Sequence, residues 1–147
     1  GNQYAQSGQF DQAIAEYETV LETDPENVSA LANLGVVYYH TEQWDLAATQ
    51  YEKAIAVAPD DADLHSNLAA VHVQKNELDA ALDGYLKAVE LAPDLAPAHF
   101  GLGVVYLQLN QADKAIEAFE AFLELDSGQD AMASDQAQQY LEMLKGQ

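Results

Sequence analysis

The chain has 147 residues, 49% of them apolar, with 25 acids against five lysines, no arginine and a formal charge of -20. That length suits one domain with a packed core. The charge disfavours nucleic-acid backbones and anionic membranes as partners, no apolar run approaches the ~18 residues of a membrane span, and the lack of cysteine excludes disulfides and thiolate metal sites. A basic partner, metal cations or a salty milieu would each account for the acidity, and so would plain solubility. The chain begins at Gly1 rather than at a methionine, so the lack of a visible targeting segment says little. The compartment stays open, with a lean to the cytoplasm.

The first predicted helix is short, about Gly1 to Ser7. A second starts near Asp11 and ends before Pro25. Val28 to about Thr41 places Leu31, Leu34, Val37 and Tyr38 at helical 3,4 spacing. A polar break at Glu42–Gln43 follows. Asp45 then sits where a helix N-cap or a first-turn acid belongs, near free N–H groups. The next amphipathic stretch carries Ala47, Ala48, Tyr51, Ala54, Ile55 and Val57, and Pro59 closes it. The same pair of helices recurs from residue 62 to Pro93 and again from residue 96. There Ser127–Gly128 replaces the proline, and a last amphipathic stretch, about Asp130 to Lys145, has no helical partner.

These elements recur because the sequence has a period. Pro25, Pro59 and Pro93 are 34 residues apart, as are Asp11, Asp45, Asp79 and Asp113, and Ala13, Ala47, Ala81 and Ala115. Tyr17, Tyr51 and Tyr85 keep the step, with Phe119 in the fourth slot. Tyr4, Tyr38, Tyr106 and Tyr140 keep it too, with His72 in the gap. A fixed period of roughly 20–50 residues means a stacked repeat protein. The units are 1–27 (truncated), 28–61, 62–95 and 96–129, and 130–147 forms a terminal cap whose Gln136, Gln138, Gln139 and Glu142 supply a polar outer face. Gly8, Asn76 and Asn110 stand where the first helix of a unit turns, a place that favours left-handed backbone. Glu42 breaks that series, so its turn is expected to be strained or of another type.

The motifs resemble the tetratricopeptide repeat. The second unit carries Leu34-Gly35, Tyr38, Ala47, Tyr51, Ala54 and Pro59. The third carries Leu68-Ala69, His72, Ala81, Tyr85, Ala88 and Pro93, and the fourth Leu102-Gly103, Tyr106, Ala115 and Phe119. Leu31, His65 and His99 replace the family tryptophan. The resemblance implies an all-α, right-handed superhelical solenoid of antiparallel helix pairs with a C-terminal cap helix. It also implies that the first helices line a concave groove. The groove-facing positions are then Ser29, Ala32, Asn33, Val36, Tyr39 and His40; Asp63, Ser66, Asn67, Ala70, Val73 and Gln74; and Pro97, Phe100, Gly101, Val104, Leu107 and Gln108. That surface holds one acid, Asp63, and no lysine. It displays apolar side chains, with Tyr39 and Phe100 as the aromatics outside the packing series. The amides of Asn33 and Asn67 can clamp a peptide backbone. A cationic clamp for a terminal carboxylate, known in some family members, has no counterpart here.

Catalysis finds no motif: there is no glycine-rich phosphate loop, no activated cysteine and no serine-centred signature. No cofactor is expected. His65 and His99 are one unit apart, but a shared zinc needs both nitrogens at about 2.0–2.1 Å from one ion, and structural roles are favoured. Asp60, Asp61 and Asp63 lack the glycine and glutamate of a calcium loop. The expected function is non-catalytic binding of a peptide or helix of a partner protein, with apolar anchors and the option of basic flanks. The alternative is a scaffold that self-assembles, as a homo-oligomer through the open N-terminal end or by helix exchange.

The charge yields a first prediction. Self-repulsion at -20 opposes compaction, and ions screen it. The midpoint of thermal unfolding is expected to rise between low and physiological ionic strength. A flat or falling midpoint would show that the acids are already compensated locally.

Overall fold

The computed structural model describes residues 9–146, which form eight helices and no strand. They are α1 (Phe10–Thr23), α2 (Val28–His40), α3 (Trp44–Val57), α4 (Ala62–Gln74), α5 (Leu78–Leu91), α6 (Ala96–Gln108), α7 (Ala112–Asp126) and α8 (Ala131–Lys145). The expected helix at 1–7 and the turn residue Gly8 lie outside the described residues. The pairs α2/α3, α4/α5 and α6/α7 form successive layers. Each helix packs on its neighbours in the chain, and α2, α4 and α6 also touch in succession.

Two kinds of turn alternate. Within a unit the first helix ends on Glu42, Asn76 or Asn110, at φ 59°, 58° and 58°. In all three turns the next amide reaches back to a helical carbonyl: Gln43 to Tyr38, Glu77 to His72, and Gln111 to Tyr106. Glu42 therefore adopts the same left-handed turn as the asparagines; it is strained, not of another type. The second helices start one residue before Asp11, Asp45, Asp79 and Asp113. Those acids lie in the first turn and none of the four helices has a side-chain cap, so their charge acts on the helix dipole.

Between units, Asp24–Asn27, Ala58–Asp61 and Ala92–Leu95 close tight turns around the prolines. Asn27 and Asp61 then cap α2 and α4 by accepting from Ala30 and Leu64. His65 and His99 donate from Nε2 to the carbonyls of Pro59 and Pro93, at 2.7 and 2.8 Å. The residues that replace the expected tryptophan thus fasten the inter-unit loops. The fourth unit ends differently. Ser127 and Gly128 both have positive φ, and Asp126, 8% exposed, accepts from the Asp130 amide and the Ser134 hydroxyl. This carboxylate anchors α8 in place of the proline turn.

The core follows the period. Ala13, Ala47, Ala81 and Ala115 are all 0% exposed. A Cβ added at Gly35 would lie 2.8 Å from the Tyr51 ring, and one at Gly103 would lie 2.5 Å from Phe119. The aromatic of the second helix thus lies directly on the backbone of the first. The third unit has Ala69 at that site. There Gly84 of α5 yields instead, with its Cβ position 2.9 Å from the Ala69 Cβ, and the end of the Tyr85 ring lies over Gly101 of the next unit.

Two predictions test these contacts. In a helix interior Gly→Ala ordinarily gains about 1 kcal/mol. At Gly84 the methyl meets another methyl and the His65 carbonyl, and overpacking costs about 1–3 kcal/mol. Urea unfolding is expected to show Gly84→Ala destabilised. Pairing it with Ala69→Gly should recover about 1 kcal/mol relative to the sum of the two singles; strict additivity would break the argument. Glu42→Asn is expected to stabilise by about 0.5–1 kcal/mol, because asparagine tolerates the left-handed turn.

Candidate functional site

The candidate site lies on α2, α4 and α6, which touch in succession. Among the described residues the second helices α3, α5 and α7 have no comparable contact with one another. A stack whose first helices lie closer than its second helices curves toward the first helices. Asn33, Val36, Tyr39 and His40 lie on α2, Asn67, Ala70, Val73 and Gln74 on α4, and Phe100, Val104, Leu107 and Gln108 on α6. Equivalent positions on touching helices bring the twelve expected residues onto neighbouring elements.

Their exposure differs from expectation. His40, Gln74 and Gln108 are exposed, but the apolar members are half-buried, and Ser66 and Gly101 are buried. Val36 and Tyr39 pack on the core of the second unit, Val73 on that of the third, and Val104 and Leu107 on that of the fourth. Phe100 is a correction. It was expected outside the packing, yet its ring meets Phe119 and Phe122 edge-on, with centroids 5.8 and 5.2 Å apart. Phe122 occupies the slot of Ala54 and Ala88, so the fourth unit carries an extra ring at that level and Phe100 packs against it. Tyr39 also packs edge-on, against Trp44 at 5.2 Å, but its hydroxyl stays at the surface and accepts from Gln74 Nε2 across the inter-unit boundary at 3.1 Å.

The sequence reading did not anticipate that two second-helix tyrosines reach the backbone of first helices. Tyr51 and Tyr85 are 2% and 6% exposed, and their ring ends lie against Gly35 and Gly101 of the first helices. Burial, and secondarily the nearby Tyr39, push both phenols well above the usual tyrosine range. The signal was the residue type. Phe119 shows that a plain ring suffices at this slot, whereas the other units keep a hydroxyl.

Lys75, Lys114 and Lys145 are engaged with acids or an aromatic ring and touch none of the twelve groove residues in these contacts. Lys75 Nζ lies 2.9 Å from Asp45 and 3.1 Å from Glu77, whose other oxygen is 2.6 Å from His72 Nδ1. The hydrogen bond to Asp45, and then that to Glu77, raises the Lys75 pKa. The bond from His72, then that from Lys75, lowers the pKa of Glu77. Both groups are exposed, so the tie joining the second and third units is modest. Lys145 pairs with Glu120, joining the cap to α7. Lys114 stands 5.4 Å from the Tyr106 ring centroid, in a shallow hollow of about 400 Å³ that also takes in His99 and Glu117. That hollow shares no residue with the twelve. No cluster able to hold a metal ion occurs among the described residues, and no helix among them is long and apolar enough to cross a membrane.

Paired helices at a constant step, stacked through an aromatic-on-glycine contact, define a helical repeat solenoid. A family model described as TPR repeat matches residues 1–41, 37–76 and 71–110, and one described as tetratricopeptide repeat matches 96–129. The chain belongs to the tetratricopeptide repeat family, and its fold is the right-handed solenoid with a cap helix. No curated protein matches the sequence. Among solved structures, the chain is similar to MamA, with 28% identity over 99% of this chain and 92% of that one, at a TM-score of 0.80. It is also similar to YrrB, described as a TPR protein with an unusual peptide-binding site, at 23% identity, 99% and 82% coverage and a TM-score of 0.74. The TPR2B domain of yeast Sti1, solved as a complex with pHsp70, is 21% identical, with 81% and 96% coverage and a TM-score of 0.75. The last two similarities establish the fold alone.

Proposed function

We propose that the chain is a non-catalytic protein-interaction module. Its ligand is an extended peptide or an amphipathic helix of a partner protein, seated along α2, α4 and α6. The observation that carries this reading is the juxtaposition of three first-helix faces with apolar positions in register. Val36, Ala70 and Val104 form one row, and Tyr39, Val73 and Leu107 the next. The amides of Asn33, Asn67 and Gln74 stand among them. A ligand with apolar anchors fits the rows. Basic flanks fit the remaining surface, because 24 of the 25 acids lie outside the groove positions and Asp63 is the one within them. The description of YrrB and the Sti1 complex agree with peptide binding on this fold. Family membership also supports the absence of catalysis.

A second reading is a self-assembling scaffold. Met132, 83% exposed, and Met143, 47% exposed, project from the cap helix α8 and offer apolar contacts at that end. The N-terminal end, the other expected point of assembly, lies outside the described residues. Light scattering over a concentration series separates the two: growth in mass with concentration, abolished by Met132→Lys with Met143→Lys, would favour assembly.

The groove reading is tested with a fluorescent peptide, about twelve residues long, selected from a display library with lysines at both ends. Tyr39→Ala combined with Leu107→Ala is expected to weaken it by about 2 kcal/mol or more, the scale of an aromatic hot spot, without loss of helicity. Asn67→Ala should weaken it by about 0.5–1.5 kcal/mol. Phe100 is left intact in this test because it packs on Phe119 and Phe122. Phe119→Ala, the packing control, should cost about 3–5 kcal/mol of stability. Full affinity in the Tyr39/Leu107 double variant would place the site elsewhere.

A further inference from the structure

The second helices contribute to the groove through their tyrosines. Tyr51 and Tyr85 are more than nine-tenths buried, yet their hydroxyls have no hydrogen-bond partner among the described residues. Among the described residues no polar side-chain atom is both sealed from solvent and unpaired. Each of the two hydroxyls therefore keeps some contact with solvent. Their direction is fixed by the glycines. A Cβ on Gly101 would fall 2.2 Å from Tyr85 Cζ and 2.4 and 2.7 Å from its two Cε atoms, so the tip of the ring meets α6. A Cβ on Gly35 would fall 2.8 Å from Cε1 and Cζ of Tyr51, so that ring also presents its tip to a first helix.

Gly101 holds the slot that Asn33 and Asn67 hold in the two preceding units. Where the asparagine is missing, a tyrosine from the preceding second helix fills its space and brings a hydroxyl in place of the amide. The Tyr39 hydroxyl bears electrostatically on both Tyr51 and Tyr85. It already accepts from Gln74, which leaves its own proton to be donated.

We infer that Tyr51 and Tyr85 are ligand-binding residues whose hydroxyls, together with that of Tyr39, donate hydrogen bonds to main-chain carbonyls of an extended, net-basic peptide. The inference rests on the groove reading above and names the chemistry of its floor. Neutral donors suit this chain. A hydroxyl pairs with a peptide carbonyl without charge, whereas an anionic ligand would meet the field of an acidic protein with no lysine or arginine at the groove positions. The buried phenols stay protonated throughout the working pH range, so they remain donors. Donation to a carbonyl reads the backbone and is indifferent to side chains. Selectivity is left to the apolar rows.

The test uses Tyr51→Phe with Tyr85→Phe in the full chain, and the same lysine-flanked selected peptide. Phe119 occupies the equivalent slot, so the rings alone pack, and the thermal midpoint is expected to stay level or rise. The peptide should bind about tenfold more weakly, the effect of two ordinary hydrogen bonds. A scan replacing single peptide carbonyls with thiocarbonyls, which accept poorly, should reveal positions that cost several-fold in the wild-type chain and nothing in the double-phenylalanine variant. Unchanged affinity in that variant, with binding still lost in Tyr39→Ala/Leu107→Ala, would overturn this inference and leave the groove reading standing. Unchanged affinity in both variants, or a library that yields no binder competing at these helices, would overturn the groove reading itself. A fall in thermal midpoint of the Phe variant would show the hydroxyls to be structural and would count against the inference.

Discussion

The stack depends on one contact, an aromatic ring laid on the backbone of a neighbouring helix where no side chain intervenes. Tyr51 over Gly35 and Phe119 over Gly103 let the helices of a unit approach as closely as two backbones and a ring allow. The four fully buried alanines at residues 13, 47, 81 and 115 extend that closeness along the second helices. Interiors at this density tolerate small errors poorly. The third unit illustrates the constraint by obeying it differently. Its alanine at the ring site is matched by a glycine on the opposing helix, and its displaced ring finds a glycine one unit further on. A repeat protein transmits such a displacement to its neighbour, because each unit contacts only the next.

The period, the helix pairs, the proline turns and the lone cap helix were legible because each rests on residue spacing, which sequence displays directly. Asp45 could be read only as a cap or a first-turn acid; the structure selects the first turn, with Gln43 at the cap. Glu42 shows where spacing runs out. The turn geometry is imposed by the two flanking helices, so the backbone there follows the fold and overrides residue preference. At the candidate site, the identity of the helices was legible but the depth of each side chain was not. Phe100 lies on the same face as Val104, and only the bulk of Phe122, twenty-two positions away, explains why it is drawn into packing. Tyr51 and Tyr85 were read as pure packing residues because their rings do pack. That their ring ends meet another helix depends on glycine positions in neighbouring elements, which the period of a single residue series does not reveal.

Charge is distributed by the same logic of layers. Three of the five lysines pair with acids: Lys75 across the boundary between the second and third units, Lys87 with Glu90, and Lys145 between the cap and α7. Lys114 stands over an aromatic ring. Lys75, Lys114 and Lys145 thus join different helices and Lys87 pairs within one, while the groove positions of the first helices hold one acid and no lysine. For the basic peptide proposed above, long-range attraction and short-range recognition would fall to different surfaces: the acids to draw it from a distance, the neutral apolar and amide groups to meet it on arrival.

The histidines at the inter-unit loops carry a mechanical consequence. Each donates from Nε2 to a proline carbonyl, and an imidazole can donate from that nitrogen whether its other nitrogen is bare or protonated. At the preceding joint Leu31 occupies the histidine slot and offers no donor. The joints after Pro59 and Pro93 carry a histidine latch, while the one after Pro25 has a side-chain bond from Asn27 to Asp24. The curvature presented by α2, α4 and α6 is set by the joints after Pro59 and Pro93, and both carry the histidine latch.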